Sequence, residues 1–408
     1  MQSKPFMITG ILVTIIIGFF VFGIVSAKNL DNQIFNFSRQ EKQVANNIST
    51  QNEKLTQEEN EKVAQEIATS EIIPEEVSIN QVSHITTPNE VRAIYMSAWV
   101  AGTKKERSRL ITIIEESSLN AIVIDIKDAT GRVSFPVDST LINETGSPVK
   151  RITDITDLIQ ELHEKNIYVI GRISVFQDAY LTQKYPDWAI QSISSGKPWK
   201  DRKGLSFLDP TNHNVWDYTT TLATASYDIG FDEINFDYIR FPSDGNMKDI
   251  VYPSGSGSKS EMIELFFKHL HEKMNLAHIT TSADLFGLVT EATDDLGIGQ
   301  VLEKALPYFD FIAPMIYPSH YGKGYNGYAN PAEYPYQVVA RAMKEGIRRV
   351  QILGFGPEKF RPWIQDFDLG AKYNYQEIID QIKALKEQKI TSFMVWDPAN
   401  KYTPEAYQ

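Results

Sequence analysis

Eight short apolar segments alternate with amphipathic segments between residue 91 and the C-terminus. Apolar runs bounded by loop residues are typical of strands buried on both faces, and the segments between them have the apolar spacing of helices. This alternation predicts a parallel sheet covered by helices. The predicted strands are 93–100, 121–127, 168–175, 233–241, 279–286, 309–317, 350–356 and 392–397. The predicted helices are 104–119, 153–165, 215–229, 261–276, 299–308, 331–345 and 375–389.

The number of these units favours a closed barrel over an open sheet. Eight strands with seven helices between them, within residues 91–408, match an α/β (β/α)8 TIM barrel. The alternative is a doubly wound open sheet, which usually has fewer strands and a glycine-rich first turn. No G-x-G-x-x-G sequence follows the first predicted strand. We therefore expect residues 91–408 to form one barrel domain.

Residues 6–27 contain no charged side chain, and about 20 apolar residues suffice for a helix to cross a bilayer. We expect residues 1–28 to form a transmembrane signal-anchor. Lys4 precedes this segment, so the positive-inside tendency places the N-terminus in the cytoplasm and the barrel outside. A cleaved signal peptide is the alternative, because small residues stand at 25–27, although the apolar run exceeds the usual 7 to 15 residues. Either reading gives an extracytoplasmic barrel, and the anchor makes it a single-pass protein of the cell membrane.

The next segment has a different composition. Residues 28–90 carry 5 Lys or Arg against 11 Asp or Glu, and they contain neither glycine nor tryptophan. Low hydrophobicity with net negative charge keeps such a chain solvated, although 52–73 has a helix-forming composition. We expect 29–90 to be a disordered or partly helical linker.

Composition excludes several kinds of function. The chain has no cysteine, so disulfides, thiolate nucleophiles and thiolate metal sites are excluded. The seven histidines are scattered, and we predict neither a metal nor another cofactor. The net charge of −12 has the wrong sign for attracting nucleic acid. A neutral or cationic partner is expected instead.

Chemistry in such a barrel occurs at the C-terminal ends of the strands, and six of the eight predicted strands deliver a charged or titratable residue there. These candidates are Asp125, Lys127 and Asp128 for strand two, Arg172 for strand three, Asp237 and Arg240 for strand four, Asp284 for strand five, Tyr317 and His320 for strand six, and Trp396 and Asp397 for strand eight. Strand alternation places Asn235 and Asp237 on one face, and Phe236 and Tyr238 on the other.

Two carboxylates at one barrel mouth are what glycosidic cleavage requires. One acid protonates the departing oxygen, and the other carboxylate attacks the sugar or activates water. We assign Asp237 as nucleophile and Asp284 as acid/base, with Asp128 as the second candidate for the acid. Other roles stay open, because Asp237 could pair with Arg240 or Arg172.

The remaining candidates are interpreted as substrate-binding residues. Asp125 and Asp128 flank Lys127, so a charge network is an alternative for these three, and Asp397 could simply cap the last strand. Aromatic residues on the long loops 177–213 and 321–328 could stack on sugar rings. For the tryptophans of the first loop, packing against the barrel is the stronger interpretation.

Five segments together resemble a bacterial family of glycoside hydrolase domains of unknown function, over about 93–402. These segments are 124–128, 230–242, 282–287, 296–300 and 314–321. The resemblance implies a barrel related to those of α-amylases and α-galactosidases, in which the aspartate that ends strand four is the nucleophile. That position matches Asp237. Many α-amylase-like barrels carry a glutamate at the end of strand five as the acid, where this chain has Asp284.

The leading hypothesis is a membrane-anchored extracytoplasmic glycoside hydrolase acting on a polysaccharide or oligosaccharide. A non-catalytic carbohydrate-binding barrel at the cell surface is the alternative, since it would use the same aromatic rim. A polysaccharide deacetylase is a third hypothesis, and it requires metal ligands that the sequence barely provides.

Overall fold

The computed structural model describes residues 82–255 and 257–408. Eight parallel strands close into a barrel in which each strand pairs with the next along the chain and the last pairs with the first. The strands are β1 Arg92–Met96, β2 Ala121–Lys127, β3 Tyr168–Ser174, β4 Glu233–Asp237, β5 Thr280–Phe286, β6 Phe311–Met315, β7 Trp363–Gln365 and β8 Phe393–Trp396. The predicted (β/α)8 architecture is therefore confirmed for the described part of the chain.

Helices connect successive strands and cover the outside of the barrel. They are Ala98–Ala101, Lys104–Glu115, Thr140–Thr145, Ile155–Glu164, Leu181–Lys184, His213–Tyr227, Lys259–Leu276, Leu302–Ala305, Pro335–Ile352 and Tyr375–Glu387. The helix that leads into β5 begins with a capping box, in which the Ser258 hydroxyl accepts from the Glu261 N–H and the Glu261 carboxylate accepts from the Ser258 N–H. A two-stranded antiparallel ribbon, Gln191–Ser192 with Ile250–Val251, joins the loops that follow β3 and β4.

A buried ion pair fills the barrel interior near the N-terminal ends of the strands. Both carboxylate oxygens of Glu233, the first residue of β4, lie within 2.7 Å of Arg361 Nη1. Tyr168 and Ser282 also donate hydrogen bonds to the Glu233 carboxylate. Because both charged side chains are fully buried and paired, this end of the barrel is closed. Any ligand must enter from the opposite end.

The predicted seventh strand, 350–356, is wrong. The helix Pro335–Ile352 runs into that segment, and Val350 is buried on the face that packs against the core. Its apolar character therefore reflects a helix face. The true seventh strand, Trp363–Gln365, has only three residues.

The first strand also ends earlier than predicted. It stops at Met96, and Ser97 then caps the short helix Ala98–Ala101 by accepting a hydrogen bond from the Val100 N–H. The predicted anchor, residues 1–28, lies outside the described residues, and so does nearly all of the predicted linker, 29–90. Within the part of the chain that is described, no helix combines the length and the apolarity needed to cross a membrane.

Candidate active site

A cavity of about 400 Å³ lies at the C-terminal ends of the strands. Seven of the predicted site residues line it: Arg172, Asp237, Arg240, Asp284, Tyr317, His320 and Trp396. Seven others complete the lining: Tyr238, Phe286, Gly287, Leu288, Met315, Tyr321 and Trp363. The barrel thus brings the two predicted catalytic carboxylates to one cavity.

Asp237 is the last residue of β4, and its carboxylate is held on both oxygens. The backbone of Tyr238 turns into the left-handed region, with φ of 53°, a conformation that is uncommon for a bulky side chain. This turn ends the strand and brings the Tyr238 N–H to 2.5 Å from Asp237 Oδ1. It also breaks the predicted alternation, because Tyr238 lines the same cavity as Asp237. Strained backbone of this kind concentrates at functional sites.

Arg172 of β3 occupies the centre of a carboxylate cluster. Its Nε lies 3.1 Å from Asp237 Oδ2, and its Nη2 also donates to that oxygen. Its Nη1 donates to Asp125 Oδ1 at 2.7 Å. The other Asp125 oxygen accepts from the Tyr95 hydroxyl. Asp125 therefore orients Arg172, which in turn orients Asp237.

Asp284 lies on the neighbouring strand β5 in a drier environment, with 1% of its surface exposed. Its Oδ1 accepts hydrogen bonds from Asn235 Nδ2 at 2.8 Å and from Trp363 Nε1 at 2.7 Å. Burial, followed by the negative charge of Asp237, raises the pKa of Asp284 well above the usual range, while Arg172 and these two hydrogen bonds oppose the shift. Because both N–H groups occupy Oδ1, the proton of the neutral acid belongs on Oδ2.

The two carboxyl groups are close together. Arg172 Nε lies 3.1 Å from Asp237 Oδ2 and 4.0 Å from Asp284 Oδ2. The sum of these distances limits the separation of the two oxygens to about 7.1 Å. That limit includes the roughly 5–5.5 Å spacing of retaining glycosidases and reaches only the lower end of the roughly 6.5–9.5 Å spacing of inverting ones.

The other polar residues of the cavity are uncharged near neutral pH. Burial lowers the pKa of His320 below its ordinary value of 6.5, so the imidazole is neutral. Burial, reinforced by the neighbouring acidic groups of Asp284 and Asp237, raises the pKa of Tyr317 well above its ordinary value. The ionisable groups of the cavity that remain are Arg172, Arg240 and the two aspartates, of which Asp284 has the raised pKa.

Four of the predicted substrate-binding residues do not line the cavity. Asp125 lies behind Arg172, as described above. Lys127 is buried and donates to Asp178 at 2.6 Å, and Asp128 pairs with Arg151 at 2.8 Å. Asp397 accepts a hydrogen bond from the Ala399 N–H in the turn after β8. Asp125 is paired with Arg172 of the cavity wall, whereas Lys127, Asp128 and Asp397 are each bound by a loop residue outside the cavity.

The predicted aromatic loops contribute little to the cavity. Trp199 is buried in a small cluster with Ile190 and Phe207, which is the packing role favoured for it. Trp188 stacks on the ring of Tyr185, 4.5 Å away. From the loop 321–328, only Tyr321 lines the cavity.

Sequence reasoning missed Trp363 and Tyr95. Trp363 escaped notice because the seventh strand was expected at 350–356, and Tyr95 lies on a strand that carries no charged residue in its buried part. The contact between Asn235 and Asp284 was predictable in part, because strand alternation places Asn235 on the same face as Asp237, and its side chain donates to Asp284. Within residues 82–255 and 257–408, no group of three or more histidine or carboxylate side chains is arranged to hold a metal ion.

Residues 93–402 match a protein family described as "Putative glycosyl hydrolase domain". The chain belongs to this family. The resemblance stated from the sequence is thereby confirmed, and the glycosyl hydrolase domain covers the whole barrel. No curated protein matches the chain.

Two solved structures agree with this assignment at the level of the fold. The PgaB (BpsB) glycoside hydrolase domain from Bordetella bronchiseptica aligns with a TM-score of 0.57 at 15% identity, over 78% of this chain and 98% of that one. Alpha-L-fucosidase isoenzyme 2 from Paenibacillus thiaminolyticus aligns with a TM-score of 0.51 at 13% identity, over 78% and 47%. A hypothetical protein from Ruminiclostridium thermocellum is 31% identical over 50% of this chain and 98% of its own, with a TM-score of 0.44.

The indole of Trp363 gives a direct test of the electrostatics in this glycosyl hydrolase domain. Trp363→Phe removes an N–H that donates to Asp284 and stabilises its ionised form. We expect the pKa of Asp284 to rise further, measured by carbon NMR titration of labelled aspartate carboxyls in the full-length protein. Trp396→Phe is the control, because it removes a second indole from the same cavity without removing a donor to Asp284. An unchanged or lower pKa of Asp284 in Trp363→Phe would contradict the prediction.

Proposed function

We propose that this protein is a glycoside hydrolase that cleaves glycosidic bonds of a polysaccharide with two carboxyl groups, Asp237 as nucleophile and Asp284 as acid and base. One observation carries the proposal. The two carboxyls line one cavity, yet Asp237 is bound by a guanidinium and a backbone N–H whereas Asp284 is buried with a raised pKa. Unequal environments for neighbouring carboxyls divide the acid role from the nucleophile role.

The first step forms a covalent intermediate. Asp284 donates the proton on its Oδ2 to the glycosidic oxygen, and that oxygen departs with the electrons of the bond to the anomeric carbon. A carboxylate oxygen of Asp237 attacks the same carbon and forms a glycosyl ester. Arg172 and the Tyr238 N–H hold the nucleophile in a fixed orientation. This orientation reduces the entropic part of the activation free energy for attack on the anomeric carbon.

The second step returns both carboxyls to their starting state. Asp284, now ionised, takes a proton from a water molecule, and the water oxygen attacks the anomeric carbon and releases Asp237. The buried Asp284 favours this proton uptake because burial disfavours its anionic form. Two displacements at one carbon retain its configuration.

We infer the substrate and the location from features of the sequence. The charge-free segment 6–27 supports a single membrane anchor, and the polar segment 29–90 supports a spacer between that anchor and an extracytoplasmic barrel. A tethered enzyme outside the cytoplasm meets polymers of the cell envelope or of the surroundings. We therefore infer a polysaccharide or oligosaccharide as substrate.

The proposal is tested by incubating the full-length protein in detergent with a panel of cell-envelope and environmental polysaccharides and measuring new reducing ends. Release of reducing ends from at least one polymer supports hydrolysis. A polymer that binds, by co-sedimentation, while no polymer of the panel yields reducing ends would favour the non-catalytic carbohydrate-binding barrel.

A substitution at Asp128 tests whether the loss of a carboxylate elsewhere on the barrel rim affects catalysis as the loss of Asp237 or Asp284 would. Asp128 directly follows the last residue of β2, but it pairs with Arg151 and does not line the cavity. We expect Asp128→Asn to keep kcat within about twofold of the parent, because its carboxylate is bound to Arg151 and does not reach the cavity. Loss of kcat by about 100-fold or more, which is the contribution of a general acid, would transfer the acid role to Asp128.

A further inference from the structure

Arg240 is the second guanidinium of the cavity, and most of its donors are unused. It follows β4 by three residues, lines the cavity and is 9% exposed. Its Nη1 donates to the carbonyl of Phe241 at 3.0 Å and to the hydroxyl of Ser243 at 3.4 Å. Among the described residues, Nε and Nη2 have no hydrogen-bond acceptor. Three N–H groups therefore remain for a ligand.

No carboxylate of the described residues lies within 4.0 Å of the Arg240 guanidinium, whereas Arg172 has Asp125, Asp237 and Asp284 within that distance. Burial lowers the pKa of Arg240, and the more distant charges of Asp237 and Asp201 only partly oppose this. A buried cation without a counterion is destabilising, because its desolvation is not compensated. Such a cost is tolerated where a ligand supplies the missing charge.

Aromatic rings hold the guanidinium in place. Its central carbon lies 4.7 Å from the centre of the Phe286 ring, 5.3 Å from that of Tyr238 and 6.0 Å from that of Phe207. Each such contact is a favourable cation–π interaction, so these rings orient the charge without neutralising it. The guanidinium is thus held in place at the wall of the cavity that Asp237 also lines.

We propose that Arg240 binds an anionic substituent of the substrate, so that the cavity accepts an acidic sugar. The geometry of two parallel N–H groups suits the two oxygens of a carboxylate or phosphate. This inference rests on the proposed function only in taking the ligand to be a carbohydrate. The whole-chain charge of −12 pointed to a neutral or cationic partner, but the cavity has a different balance, because Asp284 holds a proton and Asp237 is paired with Arg172.

The test measures binding, without turnover, by isothermal titration of the full-length protein. The probes are D-glucuronate and D-galacturonate, their 6-phosphate counterparts D-glucose 6-phosphate and D-galactose 6-phosphate, and neutral D-glucose and D-galactose. We expect at least one anionic sugar to bind about tenfold or more tightly than its neutral counterpart, as for a hydrogen bond to a charged group. Stronger binding of the uronates would identify a carboxylate as the substituent, and stronger binding of the phosphates would identify a phosphate.

Three variants assign that preference to Arg240. Arg240→Gln is expected to remove it, leaving neutral sugars unaffected, and Arg240→Lys is expected to keep part of it. Arg202→Gln is the matched control, because Arg202 is an exposed arginine of a neighbouring loop paired with Asp244. We expect Arg240→Gln to leave the Tm unchanged or higher, since a buried unpaired charge is removed.

Equal affinity for anionic and neutral sugars in the parent protein, or no binding of any anionic sugar, would overturn the proposal. A preference that survives in Arg240→Gln would also overturn it. So would a lower Tm with equal losses for all sugars, since Arg240 would then only support the chain at Phe241. Failure of hydrolysis leaves these measurements unaffected, so the two proposals fail separately.

Discussion

Asp237→Asn is expected to lower kcat by about 10⁴-fold or more, which corresponds to about 5.5 kcal/mol of transition-state stabilisation. The amide has nearly the same shape as the carboxylate but is a poor nucleophile, so the glycosyl ester of the first step does not form. The Asn Oδ1 can still accept from the Tyr238 N–H, whereas an NH₂ group would face the donors of Arg172. Orienting that guanidinium then falls to Asp125, which keeps its hydrogen bond to Nη1.

The measurement is reducing-end release by the full-length variant, with Asp128→Asn as the matched control and with Tm as the check on folding. Asp237→Gly adds a positive test, because it leaves space in which azide can act as nucleophile. Azide is expected to restore turnover and to give a glycosyl azide of inverted configuration. If Asp237→Asn keeps kcat within about tenfold of the parent, the nucleophile is another group, since loss of a nucleophile costs far more.

Buried, continuous strands were the part of the fold most accessible to sequence reasoning. β2 was predicted with its observed bounds, because all seven of its residues are buried and apolar or inward-facing, with loop residues on both sides. β7 was misplaced because three residues provide no periodicity, and because the apolar end of the helix Pro335–Ile352 resembles a strand. The length of a strand, rather than its composition, therefore decided whether its position could be predicted.

The candidate site was predictable to the level of strand ends and no further. The parallel topology by itself collects the residues that end the strands at one rim, and so Asp237 and Asp284 came together as expected. Which rim charges face the cavity depends on loops that return from elsewhere. Asp178, 51 positions after Lys127, withdraws that lysine from the cavity. No local pattern records such a pairing.

The roles of the two arginines show the same limit. The sequence pattern predicts the same role for Arg172 and Arg240, because each lies close to an aspartate near the C-terminal end of a strand. The left-handed turn at Tyr238 decides the difference, because it ends β4 at Asp237 and redirects the chain before Arg240. One guanidinium then meets three carboxylates and the other meets aromatic rings. A positive φ at a tyrosine has no signature in the sequence.

Asp284→Asn is expected to lower kcat about 10³-fold on natural polymer, within the range of about 10²–10⁴ that general acid catalysis contributes. The loss should depend on the leaving group. An aryl glycoside with a weakly basic phenolate needs no proton from Asp284, so its first step stays fast, while the second step lacks its base. A burst of phenol followed by slow turnover is therefore expected from stopped-flow measurements. Added azide should accelerate the slow phase, because an anionic nucleophile needs no base.

The pH profile of the same variant provides an independent test. In the parent protein the activity should fall as the pH rises through the pKa of Asp284, because the acid form is lost. Burial and the Asp237 charge raise that pKa, so this alkaline limb of the pH profile lies at higher pH than an ordinary aspartate would give. The limb should disappear in Asp284→Asn. Asp397→Asn is the matched control, since its carboxylate lies in the turn after β8, outside the cavity, and it should keep both the alkaline limb and the rate. Equal rate losses for aryl glycosides and polymer in Asp284→Asn, with the alkaline limb intact, would mean that Asp284 only positions its neighbours, because proton transfer would then occur from a different group.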